Sequence, residues 1–250
     1  QPMNEPPRHI LVTGASSGLG RALAEAYAAP GRRLTLLGRD AARLAAVAAA
    51  VEARGGEVAT AVVDVRDRDA MAGAIAAADA ARPLDLVIAN AGIAAAADAR
   101  DVLTVNILGV WHTVEPALGR MAARGHGQLA LMSSLAGRRG LPGAAAYCAG
   151  KAAVRVLAES LRLDWAPRGV RVSAILPGFV DTPLTRRNRF AMPWLLTPAD
   201  AAERIRRGLE RDRAEIVFPR RLALAVRLAT LLPSWAAAPL LRRGRRDAAR

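Results

Sequence analysis

Short apolar runs of β-type residues alternate with longer segments of helical period, and this alternation limits the folds open to the chain. The strand candidates are residues 9–13, 33–37, 58–63, 84–89, 127–133, 170–176 and 215–218. The helical segments are residues 18–29, 40–54, 68–81, 100–124, 145–166 and 198–211. Residues 86–89 and 172–176 are largely apolar without alternation, which is typical of strands covered on both faces. The pattern predicts an α/β fold with a doubly wound parallel sheet, in a single domain over residues 1–250.

The composition excludes several classes of protein. Hydrophobic residues make up 52% of the 250 residues, which is enough for a substantial core. Cys148 is the only cysteine, so no intramolecular disulfide is possible. His9, His112 and His126 lie far apart in sequence, and no Cys/His spacing indicates a metal site. Residues 1–7 lack the basic and apolar segments of a secretory signal, so we expect a cytoplasmic protein.

The chain is strongly basic, with a net charge of +14. Such a charge suits an anionic partner such as nucleic acid or a lipid surface. Aromatic residues are only 4% of the chain, which leaves few stacking platforms for single strands. No helix-turn-helix, zinc-finger or RNA-binding signature is present. We therefore do not expect nucleic acid as a partner.

Glycine and polar residues follow six successive strand candidates. Ligands of doubly wound sheets bind beyond the carboxyl ends of the strands, so these residues predict one long ligand cleft. They are Thr13-Gly14, Gly38-Arg39, Asp64, Asn90-Ala91-Gly92, Ser133-Ser134 and Pro177-Gly178.

The first strand passes into the first helix through a glycine-rich turn, residues 13–20. Glycines allow a tight turn and a close approach of the backbone to a pyrophosphate, and the helix N-terminus offers free N–H groups. The turn sits in the first βα unit, where dinucleotide binding requires it. The candidate cofactor contacts are Gly14, Ser16, Ser17, Gly18, Leu19 and Gly20.

The end of the second strand discriminates between NAD and NADP. An acidic side chain there accepts a hydrogen bond from the ribose 2′-hydroxyl and repels a 2′-phosphate. The sequence has Gly38 at this position, and the next residue is Arg39. The Arg39 guanidinium can pair bidentately with a 2′-phosphate, so we expect NADP(H) rather than NAD(H).

Tyr147 and Lys151 form the most specific pair in the sequence. Residues four apart on a helix share a face, and a neighbouring ammonium favours the phenolate and lowers the pKa of the phenol. Of the 36 basic residues, Lys151 is the only lysine, and one of only two tyrosines precedes it by four positions. The pair predicts a tyrosine that exchanges protons with a substrate.

The motifs at Thr13–Gly20 (TGxxxGxG), Asn90–Gly92 (NAG), Tyr147–Lys151 (YxxxK) and Pro177-Gly178 occur in one order. With them the chain resembles the short-chain dehydrogenases/reductases, single-domain enzymes with a Rossmann fold. The resemblance spans residues 10–185. It implies an oxidoreductase that transfers a hydride between NADP(H) and a secondary alcohol or ketone.

The resemblance also implies a role for each catalytic candidate. Tyr147 exchanges a proton with the substrate oxygen, while Lys151 lowers its pKa and holds the nicotinamide ribose. Ser134 hydrogen-bonds the reacting carbonyl, with Ser133 as the alternative. Asn106 positions a proton-relay water near the lysine.

Further cofactor contacts follow from the same resemblance. Asp64 and Val65 hold the adenine, and Asn90, Ala91 and Gly92 lie along the cofactor. Beyond Pro177 and Gly178, Val180 and Thr182 bind the carboxamide.

Two alternatives concern function and assembly. A regulatory protein could hold the dinucleotide without turnover, but it would have no need of a proton-transfer tyrosine. The family also implies a homo-oligomer. Asn90 and Asn106 are 16 positions apart, shorter than usual in the family, and the shortened part normally leads into an interface helix, so we expect an altered geometry.

Residues 186–250 carry no family-wide motif, and we expect residues 183–250 to form a variable substrate lid and a basic C-terminal segment with a helical extension. Phe190, Met192, Trp194, Leu195 and Leu196 either wall an apolar substrate or pack against the sheet. In residues 222–241, an internal arginine and two prolines argue against a spanning helix. Leucines at helical spacing instead predict an amphipathic segment. Within residues 220–246 it contacts an anionic membrane surface, a partner subunit or its own cleft.

Overall fold

The computed structural model describes residues 6–94, 97–186, 191–233 and 235–237. Within these ranges seven parallel strands form one sheet in the order β3-β2-β1-β4-β5-β6-β7. The strands are β1 (His9–Thr13), β2 (Arg33–Gly38), β3 (Glu57–Val62), β4 (Leu86–Ala89), β5 (Gly127–Met132), β6 (Val170–Pro177) and β7 (Glu215–Phe218). The predicted doubly wound parallel sheet is confirmed.

Eight α-helices are described alongside the strands. They are α1 (Gly18–Tyr27), α2 (Ala41–Glu52), α3 (Arg68–Ala81), α4 (Ala99–Leu103), α5 (Gly109–Arg124), α6 (Ala145–Trp165), α7 (Pro198–Glu210) and α8 (Arg220–Leu231). The predicted helix 100–124 is divided, because a π-helical turn, Thr104–Leu108, joins α4 to α5. A 3₁₀ turn at Leu135–Arg138 was not predicted.

Local signals in the sequence set the ends of several helices. The Asp40 carboxylate accepts a hydrogen bond from the Arg43 N–H and caps α2, and Asp67 caps α3 in the same way through Ala70. Gly125 ends α5 in the left-handed conformation.

Alternate residues of the central strands pack on opposite faces of the sheet. Leu11 of β1 faces the core formed with α3, α5 and α6, whereas Ile10 and Val12 face α1, α2 and α7. Both faces are therefore covered, which explains why these strands are apolar throughout. The strand order reverses between β1 and β4, and such a reversal opens a crevice at the carboxyl ends of the strands.

None of the helices in the described ranges has the length and apolar character needed to span a membrane.

A buried histidine joins the amino ends of β1 and β2 to the loop before β4. The His9 ring is fully buried, with Nδ1 at 2.7 Å from the Arg82 carbonyl oxygen and Nε2 at 2.9 Å from Thr35 Oγ1. A carbonyl only accepts, so Nδ1 carries the proton and Nε2 accepts from the threonine hydroxyl. Burial lowers the pKa of His9, and nearby Arg33 and Arg82 add to the effect against Asp85.

We expect His9 to make folding less stable in mild acid. Its folded pKa lies below the unfolded value of about 6.5, so its contribution is complete above that pH and is lost as the pH falls through the folded pKa. Urea titrations between about pH 7.5 and 5.5 should show a decline for the wild type and a flatter profile for His9→Gln. Equal pH slopes for the two proteins would contradict this assignment, since His9 is the only titratable group that differs between them.

Candidate active site

A cleft of about 450 Å³ runs along the carboxyl ends of the strands. It is lined by every residue that the sequence analysis proposed for the cofactor: Gly14, Ser16, Ser17, Gly18, Leu19, Gly20, Arg39, Asp64, Val65, Asn90, Ala91, Gly92, Tyr147, Lys151, Pro177, Gly178, Val180 and Thr182. Ser133 and Ser134 line it as well. The fold thus brings residues from six strand ends into one site.

The glycine-rich turn packs too tightly for side chains at two positions. Gly14 has a φ of +65°, and a Cβ there would lie 2.9 Å from the Cα of Ala91. A Cβ on Gly20 would lie 2.2 Å from the Gly14 carbonyl oxygen. The first glycine lets the backbone turn beside the β4 loop, and the second lets α1 approach β1 closely.

Thr13 ties the turn after β1 to the loop after β4. Its Oγ1 accepts hydrogen bonds from the backbone N–H groups of Asn90 and Ala91, each at 3.1 Å. The Asn90 side-chain amide also donates a hydrogen bond to the Thr13 carbonyl at 3.0 Å. These bonds cross the reversal in strand order and fix the middle of the cleft.

Charged groups gather at the end of the cleft formed by β2 and β3. Arg39 is 63% exposed and lies 3.8 Å from the Asp64 carboxylate. Arg66 pairs with the same carboxylate at 2.7 Å, and its hydrogen bonds hold the pKa of Asp64 below the usual range.

The sequence analysis did not identify Asp40 and Arg43, which also line this end of the cleft. Asp40 is occupied with capping α2 and with an ion pair to Arg43 at 3.2 Å. The helical spacing of Arg43 from Arg39 was the available signal. His112 of α5 supports the same region, because its Nδ1 lies 2.9 Å from the Val65 carbonyl oxygen.

The first two turns of α6 carry Tyr147 and Lys151 into the cleft. The Lys151 ammonium lies 5.8 Å from the centre of the tyrosine ring and donates a hydrogen bond to the Met132 carbonyl at 2.8 Å. Burial lowers the pKa of Lys151 to about 8. The predicted helical pair is present, and the ammonium is held by the last residue of β5.

The state of the phenol differs from the sequence expectation. The spacing predicts that Lys151 lowers the pKa of Tyr147, but in the structure burial raises that pKa, and the Ser134 hydroxyl provides the opposing hydrogen bond. The tyrosine side chain is partly exposed in the cleft, yet the phenol is buried enough to raise its pKa. Sequence spacing carries no information about this desolvation.

The two serines after β5 have different surroundings. Ser133 is buried, and its hydroxyl donates a hydrogen bond to the Lys151 carbonyl at 2.7 Å, which fastens α6 to β5. The Ser134 hydroxyl accepts from the Ala136 N–H at 3.1 Å, and its interaction with Tyr147 opposes the rise in the pKa of the phenol. Of the two alternatives, Ser134 is the one beside the tyrosine.

Asn106 lies in the π-helical turn, behind the wall of the cleft. Its side chain is fully buried and binds Ile93 twice, accepting from the N–H at 2.9 Å and donating to the carbonyl at 3.0 Å. A Cβ on Gly92 would lie 3.2 Å from Asn106 Oδ1 and 3.5 Å from Lys151 Nζ. Asn106 and Lys151 thus converge beneath the NAG loop.

The predicted apolar lid is only partly described. Phe190 lies outside the described residues. Leu196 forms a bridge with Val180 and packs against the core, whereas Trp194 and Leu195 are exposed. Nearer Thr182, Pro183 and Leu184 line the cleft, although the sequence did not single them out.

We expect Gly20→Ala to destabilise the fold and weaken dinucleotide binding, because the new methyl group meets the Gly14 backbone. Overpacking of this kind costs about 1–3 kcal/mol. Gly119→Ala is a matched control, since Gly119 is exposed on α5 and nothing lies within 4 Å of the position of its Cβ, and the change should stabilise the fold by about 1 kcal/mol. Urea unfolding and NADPH titration measure both effects; equal stability changes in the two variants would refute the close-packing argument.

Comparisons with known proteins agree with the geometry of the cleft. The family model for short chain dehydrogenases matches residues 8–192. An uncharacterized oxidoreductase of Myxococcus xanthus (strain DK1622) is 43% identical over 236 residues, covering 91% of this chain and 93% of that protein. A galactitol 2-dehydrogenase (L-tagatose-forming) of Cereibacter sphaeroides is 40% identical over 189 residues, covering 71% of this chain and 73% of that protein.

Solved structures are similar over most of the chain. A short-chain dehydrogenase from Sphingobium yanoikuyae in complex with NADPH has a TM-score of 0.79 at 25% identity, covering 97% of this chain and 95% of its own. A short chain dehydrogenase from Mycobacterium paratuberculosis bound to NAD has a TM-score of 0.75 at 28% identity, covering 84% of this chain and 94% of its own. Sequence, fold and cleft agree, and the chain belongs to the short chain dehydrogenase family of oxidoreductases.

Proposed function

We propose that the protein is an NADP(H)-dependent oxidoreductase that interconverts a secondary alcohol and a ketone. The observation that carries the proposal is the grouping of Ser134, Tyr147 and Lys151 in one cleft with the glycine-rich turn. The galactitol 2-dehydrogenase relative supports chemistry at a CH–OH carbon, and the neighbouring structures with NADPH and NAD support a nicotinamide dinucleotide.

The turn between β1 and α1 fits a dinucleotide. At two of its glycines the packing leaves no room for a side chain, so the backbone itself can approach a pyrophosphate closely. The N-terminus of α1 begins in this turn and offers its free N–H groups to the phosphates. Ser16 and Ser17 line the same wall and add hydroxyl donors. When bound, the nicotinamide supplies the hydride acceptor or donor, and the protein supplies position and electrostatics.

Tyr147 handles the proton of the substrate oxygen. Burial raises the pKa of its phenol, which keeps the hydroxyl protonated at neutral pH and ready to donate to a ketone oxygen. Ser134, beside the phenol, donates a hydrogen bond to the same oxygen. In the oxidative direction Tyr147 accepts the proton of the alcohol, and the nearby Lys151 ammonium favours the phenolate that this requires.

Lys151 and Asn106 support the tyrosine from behind. The ammonium is anchored to the Met132 carbonyl, so its charge stays at a fixed distance from the phenol. As the family resemblance implies, it would also hold the nicotinamide ribose of a bound cofactor. Asn106 holds the backbone of Ile93 and keeps the NAG loop in place over the lysine. The relay water assigned to Asn106 by family resemblance belongs to this same region.

Arg39 and Arg43 favour NADP(H) over NAD(H). Both side chains are mostly exposed and line the end of the cleft where a 2′-phosphate would lie. The nearby carboxylates are already engaged, Asp64 by Arg66 and Asp40 by Arg43. Two guanidinium groups beside compensated carboxylates make a site suited to a phosphate dianion.

We also propose a cytoplasmic homo-oligomer with a substrate that is apolar in part. Exposed apolar side chains on α4, the π-helical turn and α6 support self-association: Leu103, Leu108, Val156 and Leu163. Leu184 in the cleft supports an apolar substrate portion.

Two further pairs of residues that line the cleft are proposed as cofactor contacts. Asp64 and Val65 would hold the adenine, and Val180 and Thr182 would bind the carboxamide.

We expect Tyr147→Phe to lower kcat by about a hundredfold or more, because the variant has no proton to exchange. NADPH binding should persist, since the phenyl ring keeps its place. Turnover is followed by NADPH absorbance with the best ketone of a screened panel. Tyr27→Phe removes the other phenol, which is buried in the core near α2, and should leave turnover intact. Full activity in Tyr147→Phe would refute the mechanism, while tight NADPH binding without any turnover in the wild type would favour the regulatory alternative.

We expect NADPH to bind more tightly than NADH in titrations of nicotinamide fluorescence. Arg39→Gln should weaken NADPH about tenfold or more, the usual worth of a charged hydrogen bond, and leave NADH unchanged. Arg43→Gln tests the second arginine by the same measurement. Tighter binding of NADH to the wild type would overturn the assignment of Arg39 and leave that of Tyr147 standing.

A further inference from the structure

Helix α8 and the turn after it carry an apolar ridge exposed to solvent. The ridge consists of Leu224, Leu228, Leu231, Leu232 and Trp235, and Leu231 and Trp235 are 77% and 81% exposed. Residues three, four and seven positions apart share one side of a helix, so Leu224, Leu228 and Leu231 lie on one side of α8, and Leu232 and Trp235 follow its last turn. Scattered exposed leucines are ordinary on protein surfaces, but three exposed leucines on one side of a helix, followed closely by an exposed leucine and tryptophan, indicate a contact surface.

The opposite side of α8 is fastened to the wall of the cleft. Leu222 lies so close to Gly178 that a Cβ on that glycine would be 2.7 Å from Leu222 Cδ2. At the other end, Arg139 donates hydrogen bonds to the carbonyl oxygens of Ala229 and Leu232. The helix is therefore held by its inner face and by its carboxyl end, and the ridge faces away from the protein.

The charge around the ridge has one sign. Residues 216–246 contain seven arginines and no acidic residue. Four of the seven, in residues 242–246, lie outside the described residues. Arg220, Arg221 and Arg227 are exposed, and within the described ranges no carboxylate lies at ion-pair distance from any of them.

This arrangement differs from other helices of the same protein. On α1, Arg21 pairs with Glu25 at 2.7 Å, and on α7, Arg206 pairs with Glu203 at 2.8 Å. On α8 the arginines instead border the ridge: Arg220 precedes Leu224 by four positions, and Arg227 precedes Leu231 by four. When a partner covers such a ridge, long arginine side chains at its borders can extend sideways and keep their charged ends in water.

We propose that the α8 ridge docks on the surface of an anionic lipid bilayer. The leucines would enter the boundary between headgroups and acyl chains, and Trp235 would lie at headgroup level, where tryptophan is favoured. The bordering arginines would meet the negative charge of the lipid surface. A second copy of the chain fits the ridge less well, because a symmetric contact would bring two sets of arginines together without a carboxylate.

Vesicle flotation of the full chain tests the proposal. At low salt the protein should bind vesicles of phosphatidylglycerol mixed with phosphatidylcholine and should not bind vesicles of phosphatidylcholine alone. The variant Leu228→Gln/Leu231→Gln should bind the anionic vesicles about tenfold or more weakly. The variant Arg220→Gln/Arg221→Gln should lose a similar factor, about tenfold or more.

Two matched controls separate the ridge from the general basic charge of the protein. Val62→Gln changes an exposed apolar residue on β3, at the opposite edge of the sheet. Arg211→Gln/Arg213→Gln removes the same charge at the amino end of β7, away from α8. Both controls should bind the anionic vesicles like the wild type, and circular dichroism should show that all four variants are folded.

Three results would overturn the proposal. The wild type does not bind anionic vesicles at low salt, or the ridge variant binds them as well as the wild type does. The third result is a wild type that forms an oligomer and does not bind vesicles, together with a ridge variant that has a smaller molecular mass in light scattering. This result would assign the ridge to a contact with a second copy. The readout is lipid binding, so it is independent of the proposed reaction.

Discussion

The contact between the turn after β1 and the loop after β4 organises this protein. Thr13 Oγ1 accepts two backbone hydrogen bonds from that loop, and Gly14 and Gly20 let the backbones approach within distances that no Cβ allows. Because the strand order reverses at this point, the contact also sets the middle of the cleft. The dinucleotide turn on one side and the NAG loop on the other are therefore parts of one hydrogen-bonded unit.

The catalytic end of the cleft depends on a buried cation. Lys151 is nearly inaccessible to solvent. Its ammonium donates a hydrogen bond to the Met132 carbonyl, and its backbone carbonyl accepts one from the Ser133 hydroxyl. Desolvation moves the two partners in opposite directions: it lowers the pKa of the ammonium and raises that of the Tyr147 phenol. Both shifts favour the uncharged form of the group, because burial removes the water that would stabilise its charge.

The distribution of arginine separates two kinds of surface. Over much of the protein arginines are paired, as Arg162 is with Asp212 at 2.9 Å and Arg124 with Asp79 at 2.9 Å. Such pairs contribute little to stability when exposed, but they neutralise the surface locally. Among the residues that the structure describes, no carboxylate pairs with the arginines of α8, which border exposed leucines instead. Positive charge is therefore balanced locally where arginines are paired and unbalanced around α8. The net charge of +14 does not reveal this contrast.

The sequence by itself determined the strands, the helices and the spacing of the motifs, because hydrophobic period and glycine position are properties of a few neighbouring residues. It placed Gly14, Arg39 and Asn90 in one cleft, since parallel strands bring their carboxyl ends to one edge. The family resemblance added Tyr147 and Lys151 of α6 to that cleft. Only the tertiary structure decided which of the two serines faces the phenol, and that Arg43 joins Arg39. It alone decided the direction of the pKa shift of Tyr147 and the exposure of the α8 ridge. Desolvation and exposure are set by residues distant in the chain, and an amphipathic helix has the same sequence pattern whether its apolar side is covered or open.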